Sequence, residues 1–138
     1  MMSDGDLLQR VTALSGTAAF NRWLKLEVHS AKEGDVELRL PWREEFGQYN
    51  GFLHASIVGG LIDTACGAAA YTVVGGVLAS QFAVRCLRPA VAEVFAVHGR
   101  IVKAGKRQIF TSAELYDVAA PQKLIAVGDA ILVPPSPR

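Results

Sequence analysis

The stretch GQYNGFLHASIVGGLIDTACGAAAYTVV, from Gly47 to Val74, decides how this chain is built. A polar loop of turn-forming residues leads into an apolar segment of helical length, which we place at about His54 to Val74. That segment carries a single carboxylate, Asp63, near its middle. Because a carboxylate loses hydration among apolar residues, Asp63 either satisfies a neighbouring group or takes part in chemistry, and we expect its pKa to be raised.

The predicted helix has two different faces. At about 100° per residue, a broad apolar surface that would seat the helix on a sheet contains Ile57, Val58, Leu61, Ile62, Ala65, Ala68 and Ala69. Asp63 lies off this surface, on a stripe of small residues that contains Ser56, Gly60 and Gly67, with Gly59 and Cys66 beside it. The stripe would let a ligand or another backbone come close to the carboxylate.

The segments on either side of the long helix have mostly strand character. Residues 1–16 predict a short N-terminal helix, and alternation from Leu24 predicts two strands that are joined by a turn at residues 33–35 and closed by Pro41. Four further strands follow the long helix, in SQFAVRCL, EVFAVHGRIVK, QIFTSAELYD and KLIAVGDAILV, before a proline-rich tail at residues 134–138. Their connections are too short for crossover helices. We therefore predict one α+β domain, residues 1–138, in which a mainly antiparallel sheet of about six strands wraps one long helix.

Composition restricts the possible functions. The chain has 138 residues, of which 51% are hydrophobic and 20% charged, as expected of a compact globule. Its net charge of +1 provides no general attraction to nucleic acids or anionic membranes, so we expect neither as a partner. The apolar segment is interpreted as core because it contains Asp63 and lacks basic flanks. The N-terminus lacks a secretion signal, which indicates a cytoplasmic protein.

The remaining reactive side chains suggest no metal site. Cys66 and Cys86 lie in apolar elements at no metal-ligand spacing, so we interpret both as buried thiols. His29 and His98 lie in alternating strands and are expected to be surface or core histidines rather than catalysts.

The start of the long helix offers hydrogen-bond donors. Backbone N–H groups at the beginning of a helix lack intrahelical partners, and the helix dipole favours negative charge there. We expect the amides of Ala55, Ser56 and Ile57 to be free, and one of them to stabilise an oxyanion. Gln48 and Asn50 add polar groups close by. A carboxylate together with a preorganised amide donor is the minimum equipment for acyl transfer.

Distance separates these two parts within one chain. Ala55 and Asp63 are eight residues apart, which is roughly 12 Å along a helix axis. A two-fold dimer with antiparallel helices would bring Asp63 of one subunit toward Ala55 of the other. We therefore predict a homo-oligomer, a dimer or a tetramer, with a site that straddles two subunits.

With these residues in view, the sequence resembles the hotdog-fold acyl-CoA thioesterases of the PaaI-like type. In that family an amide residue is followed six positions later by His-Gly-Gly, and an acidic residue comes nine positions after the His. Gln48, His54 and Asp63 have those spacings. The strand ending Leu87-Arg88-Pro89-Ala90 and the turn Gly105-Lys106-Arg107 also fit, so the resemblance covers about residues 20–133.

The resemblance implies a hotdog fold and the hydrolysis of acyl-CoA thioesters to free acid and CoA. The Ala55 amide would then polarise the thioester carbonyl, and Asp63 would act as nucleophile or as base for water. Gln48 and His54 would orient the carbonyl or the water. No cofactor is implied beyond the coenzyme A of the substrate.

Substrate-binding residues are expected around this centre. Phosphates are held by Lys and Arg near loops, which makes Arg88, Lys106 and Arg107 candidates, whereas Lys103 fits a solvated strand end better. Asn50 and Ser56 complete the predicted set. This chain has His-Ala-Ser where the family has His-Gly-Gly, which keeps the amide but adds a methyl group. Ser56 would either donate to the attacking water or cap the helix.

Two alternatives remain open from the sequence. A hotdog domain that binds acyl-CoA without turnover is suggested by the His-Ala-Ser replacement. A lyase of the enoyl-CoA hydratase type is the other, although the longer overhanging segment of those enzymes is not apparent in this chain.

Overall fold

The computed structural model describes residues 2–135, which form three α-helices, six strands and two single-turn 3₁₀ segments. In chain order these are α1 (Asp4–Gly16), α2 (Ala19–Leu24), β1 (Glu27–Lys32), β2 (Asp35–Pro41), the 3₁₀ segments Glu44–Phe46 and Tyr49–Gly51, α3 (Ala55–Val74), β3 (Leu78–Cys86), β4 (Val94–Ala104), β5 (Ile109–Asp117) and β6 (Ala120–Val133).

The strands form one antiparallel sheet in the order β1-β2-β4-β5-β6-β3. The predicted α+β class, the long helix and the six antiparallel strands are therefore confirmed. The β1–β2 turn is also as predicted, with Gly34 at a φ of 72°. The edge strand β3 is exposed along nearly its whole length.

The long helix α3 packs against the sheet and contacts all six strands, β4 most extensively and β1 least. Every residue of its predicted apolar surface is buried. Two sheet glycines allow the close approach. A Cβ on Gly99 would overlap the Ala65 carbonyl oxygen, and one on Gly128 would lie 2.6 Å from Cγ2 of Ile62. α3 is long and apolar enough to cross a membrane, but more than half of its most apolar window is buried inside the fold.

The N-terminal region differs from the prediction at one point. The first helix occurs as expected, and Ser3 caps it by accepting from the Asp6 N–H. The predicted strand beginning at Leu24 is wrong, because residues 19–24 form α2 and the strand begins only at Glu27. Trp23 explains the difference. Its ring packs edge-on against Phe46 with the ring centroids 5.2 Å apart, a contact from a distant loop that local alternation cannot reveal.

The cysteines and histidines divide between core and surface. Cys66 is buried, and burial raises the pKa of its thiol to about 11. Cys86 is exposed on β3, so the prediction of two buried thiols is wrong for the edge strand. His98 Nε2 lies 2.9 Å from Asp35 Oδ1, and His29 Nε2 lies 3.7 Å from a carboxylate of β2, both partly exposed.

The predicted tail begins where β6 ends. Pro134 and Pro135 follow Val133 outside the sheet, whereas residues 136–138 of that predicted tail lie outside the described residues, as does Met1 of the predicted N-terminal segment.

Candidate active site

The loop before α3 is a tight structure that fixes Gln48. The Gln48 N–H donates to the Phe52 carbonyl at 2.7 Å, and its side-chain Nε2 donates to the Leu53 carbonyl at 3.2 Å. Between them the chain turns through Asn50 and Gly51, whose φ angles are 64° and 75°. Both residues therefore have a positive φ, which glycine adopts at little cost. Asn is one of the few residues that adopt this region readily.

The first turn of α3 leaves one amide free. His54 is the N-cap: its Nδ1 accepts from the Ser56 N–H at 3.0 Å and lies 2.7 Å from Ser56 Oγ. The Ile57 N–H donates to the His54 carbonyl at 2.9 Å. The Ala55 N–H has no acceptor among residues 2–135. The expectation of three free amides therefore holds for Ala55 and is wrong for the other two, and the cap is His54 rather than Ser56.

Ala55 lines a cavity of about 380 Å³, here named the amide cavity, whose other lining residues include Gln48, Val58, Arg88 and Pro89. Three residues predicted for the site thus come together. Arg88 is held by its Nε, which donates to the Leu124 carbonyl at 2.9 Å. Asn50 and His54 are exposed nearby and do not line this cavity.

Asp63 borders a different cavity of about 310 Å³, here named the carboxylate cavity. Its side chain is half-buried and forms no hydrogen bond or ion pair with any residue between 2 and 135. Desolvation by burial raises the pKa of the Asp63 carboxyl above its ordinary value, as predicted. The rest of the lining is mainly apolar and includes Val11, Leu14, Leu38, Tyr71, Val77 and Leu132. An unpaired carboxylate is thus presented to an apolar space.

The stripe of small residues around Asp63 is partly covered. Gly67 is open, since a Cβ there would meet nothing within 4 Å. Gly60 is covered by the Phe20 ring of α2, which would lie 3.0 Å from an added Cβ. A Cβ on Gly59 would lie 3.7 Å from Cε2 of Phe82 in β3. The open part of the stripe therefore runs from Asp63 toward the C-terminal half of α3.

Sequence analysis missed several residues of the carboxylate cavity. Tyr71 could have been found, because positions 63, 67 and 71 continue the same helical stripe at spacings of four. Leu14 and Asn21 had no such signal. They reach the cavity only because α1 and α2 fold against the sheet, and the predicted strand at Leu24 concealed α2.

Within one chain the two cavities share no lining residue. The basic residues predicted to bind phosphate also lie at two opposite ends of the sheet. Lys106 and Arg107 occupy the β4–β5 turn, at the end of the sheet where Leu132 lines the carboxylate cavity. Arg88 contacts β6 near its beginning, at the opposite end. The sequence-based expectation that Ala55 and Asp63 cannot act together within one chain agrees with this arrangement.

Comparisons with known proteins agree on one family. A family model described as the thioesterase superfamily matches residues 50–120, slightly more than half of the chain. The chain is similar to a thioesterase family protein from Silicibacter pomeroyi, with 31% identity, a TM-score of 0.86 and coverage of 92% of this chain and 96% of that one. A curated protein of Saccharolobus solfataricus whose esterase name is provisional is 26% identical over 109 residues, 78% of each chain.

The fold is also that of the PaaI protein from the phenylacetic acid degradation operon of E. coli, with a TM-score of 0.87 at 19% identity over 96% of each chain. The hotdog arrangement predicted from the sequence is therefore confirmed. The chain belongs to the thioesterase superfamily, whose general reaction is the hydrolysis of thioesters.

Proposed function

We propose that this protein hydrolyses acyl-CoA thioesters in a site formed by two subunits. The amide cavity of one subunit would hold the thioester carbonyl, and Asp63 of the partner subunit would supply the carboxylate. The observation that carries this proposal is the unpaired, half-buried carboxylate of Asp63, which opens onto a cavity that holds no amide donor of the α3 N-terminus. Ala55, which carries the free amide, lines a cavity that has no carboxylate side chain in its lining.

The edge strand β3 supports a dimer. It lies at the end of the sheet with one backbone edge unpaired, and Leu78 and Phe82 are 61% and 49% exposed. An exposed apolar edge of this kind favours pairing with another strand. Antiparallel pairing of β3 with its own copy is two-fold symmetric and would also turn the two α3 helices antiparallel. That arrangement would place Asp63 of one subunit near the helix start of the other.

The proposed reaction depends on stabilising the negative charge that develops on the carbonyl oxygen. The Ala55 N–H, at the positive end of the α3 dipole, donates to this oxygen as it becomes an oxyanion, and Gln48 orients the carbonyl or the water. Asp63 either accepts a proton from the attacking water or attacks the carbonyl carbon itself. Collapse of the tetrahedral intermediate breaks the C–S bond and releases the CoA thiolate. With water as the nucleophile this step gives the free acid directly. With Asp63 as the nucleophile it leaves a mixed anhydride on Asp63, which water then hydrolyses to the free acid. The raised pKa of Asp63 makes its carboxylate a stronger base than an exposed one.

Binding of the CoA moiety would use both subunits as well. Arg88 lines the amide cavity, and Lys106 and Arg107 of the partner subunit would approach it across the two-fold axis, where they would meet phosphate groups. Asn50, His54 and Ser56 lie exposed around the start of α3, at the rim of the proposed site. The proposal requires no added cofactor.

Thiol release from short, long and aromatic acyl-CoAs tests the catalytic role of the Asp63 carboxylate. We expect Asp63→Asn to lose on the order of 100-fold or more in kcat, because an amide can neither attack nor accept the proton. The control is Glu33→Gln, which neutralises an exposed carboxylate in the β1–β2 turn. Full activity of Asp63→Asn would end the proposal.

The same panel separates the alternatives. Tight binding of acyl-CoA without thiol release by the unmodified protein would favour a binding domain. Conversion of an enoyl-CoA to the 3-hydroxy product without free thiol would favour a lyase.

A further inference from the structure

The carboxylate cavity contains more space than a carboxylate and a water molecule require. Its volume is about 310 Å³, which is about twice that of an engineered apolar cavity of ~150 Å³ that binds benzene. Three structural units line it: the end of α1 with Leu14, the face of α3 from Asp63 to Tyr71, and a floor that includes the buried Leu132. This half-open, mainly apolar space suits a hydrocarbon group better than a phosphate or a sugar.

The space follows from two features of the packing. α1 packs chiefly on β1 and only lightly on α3, so a gap remains between the two helices. At the cation–π contact the Arg10 guanidinium carbon lies 5.2 Å from the centre of the Tyr71 ring, which ties the helices together at the far end of this gap. Gly67 keeps the gap open, because no heavy atom lies within 4 Å of the position of a Cβ there.

The cavity also has a direction. Asp63, Gly67 and Tyr71 follow one another at spacings of four on α3, so the open stripe extends roughly 12 Å from the carboxylate. A group that is attached to a carbonyl carbon beside Asp63 would enter this stripe and pass Gly67 before it reached Tyr71. Polar side chains at the α1–α2 wall are already occupied with each other, since Asn21 Nδ2 donates to Ser15 Oγ at 3.3 Å.

We propose that the carboxylate cavity holds the acyl group of the substrate and that Gly67 and Leu14 determine its size. The inference rests on the proposed function and specifies its substrate class: thioesters whose acyl group is apolar and has roughly ten non-hydrogen atoms, by the benzene comparison. Gly67 admits the chain, and Leu14 limits how far it extends under α1.

The experiment uses two CoA thioethers that cannot be hydrolysed, S-ethyl-CoA and S-octyl-CoA, with affinities measured by calorimetry on the intact protein. The unmodified protein should bind S-octyl-CoA at least tenfold more tightly, because the longer chain transfers apolar surface out of water. In Gly67→Leu the new side chain occupies the cavity, so this preference should fall to within about twofold while the affinity for S-ethyl-CoA is retained. Gly67→Ala should give a smaller reduction.

Ala13→Leu is the matched control, since it adds three carbon atoms, against four in Gly67→Leu, to an exposed position of α1 outside the cavity. Leu14→Ala should favour still longer chains, which S-dodecyl-CoA would reveal. Equal affinity of the unmodified protein for both thioethers would overturn the proposal, and so would an unchanged octyl preference in Gly67→Leu. Thiol release from octanoyl-CoA is measured separately and tests the proposed hydrolysis. If the protein hydrolyses octanoyl-CoA but Gly67→Leu keeps the preference for S-octyl-CoA, the proposed hydrolysis stands and the assignment of the acyl group to the carboxylate cavity is wrong.

Discussion

Small residues at the two faces of α3 have opposite roles. Where α3 packs on the sheet, Gly99 of β4 and Gly128 of β6 leave no room for a Cβ, and the buried helix surface touches the strands directly. On the face that carries Asp63, Gly67 has open space around it. A glycine beside a helix can therefore be a packing requirement or a way to keep a cavity open, and composition alone does not distinguish the two.

The largest effect is expected where α3 packs on the sheet. Gly99→Ala would place a methyl group against the Ala65 carbonyl oxygen, where backbone on both sides resists movement. We expect the free energy of unfolding to fall by about 3 kcal/mol or more, or the protein to fail to fold. Urea unfolding followed by circular dichroism measures this. A loss smaller than about 1 kcal/mol would contradict a close contact between Gly99 and the Ala65 carbonyl oxygen.

The same substitution on the other face should have the opposite sign. Gly67→Ala adds a methyl group to open space in the interior of a helix, where Ala is favoured over Gly. We expect the free energy of unfolding to rise by about 0.5–1 kcal/mol. Urea unfolding beside Gly99→Ala gives a direct contrast, and destabilisation by both substitutions would remove the distinction between the faces.

A smaller effect concerns the charge of Asp63. Since burial raises its pKa, the folded state binds more protons than the unfolded state between the ordinary pKa and the raised one. The contribution of this group to stability therefore falls as the pH rises through that interval and is constant above it. Asp63→Asn lacks this dependence, so its unfolding free energy relative to the unmodified protein should increase with pH across the acidic range.

Thermal or urea unfolding of both proteins in steps from about pH 4 to pH 8 measures this difference. A difference that decreased with increasing pH would mean that the carboxylate is stabilised by a partner in the folded state.

Much of the fold could be predicted from local patterns. The apolar surface from Ile57 to Ala69 has helical periodicity, and the four later strands are separated by proline and glycine, so these elements were found within a few residues. α2 was not found, because its conformation depends on contacts of Trp23 and Phe20 with residues far away in the sequence. Alternation at Leu24 and Leu26 gave the wrong signal there.

The candidate site was predictable in its components and not in its shape. Asp63 was identified because a lone carboxylate among apolar residues is conspicuous, and burial does raise its pKa. Ala55 was identified because the first amide of a helix lacks a partner. That His54 would occupy the next amide depends on a side-chain rotamer. Leu14 and Asn21 line the carboxylate cavity only because of tertiary packing, which local sequence patterns do not reveal.

The central claim is that one site takes its amide from one subunit and its carboxylate from the other. Ala55→Pro removes the free N–H at the first position of α3, where proline is well tolerated, and His54 already has the extended backbone that precedes proline. We expect this variant to lose about 100-fold or more in kcat. Ala55→Val, which adds similar bulk but keeps the N–H, serves as its control.

Mixed dimers of Ala55→Pro and Asp63→Asn provide the most direct test. In a heterodimer both substitutions fall in one site and the other site is unaltered, so random mixing of the two inactive variants should restore about a quarter of the unmodified activity. Thiol release before and after co-refolding of the two variants measures this recovery. Activity that stays at the level of the separate variants, although heterodimers form, would contradict a site shared between subunits.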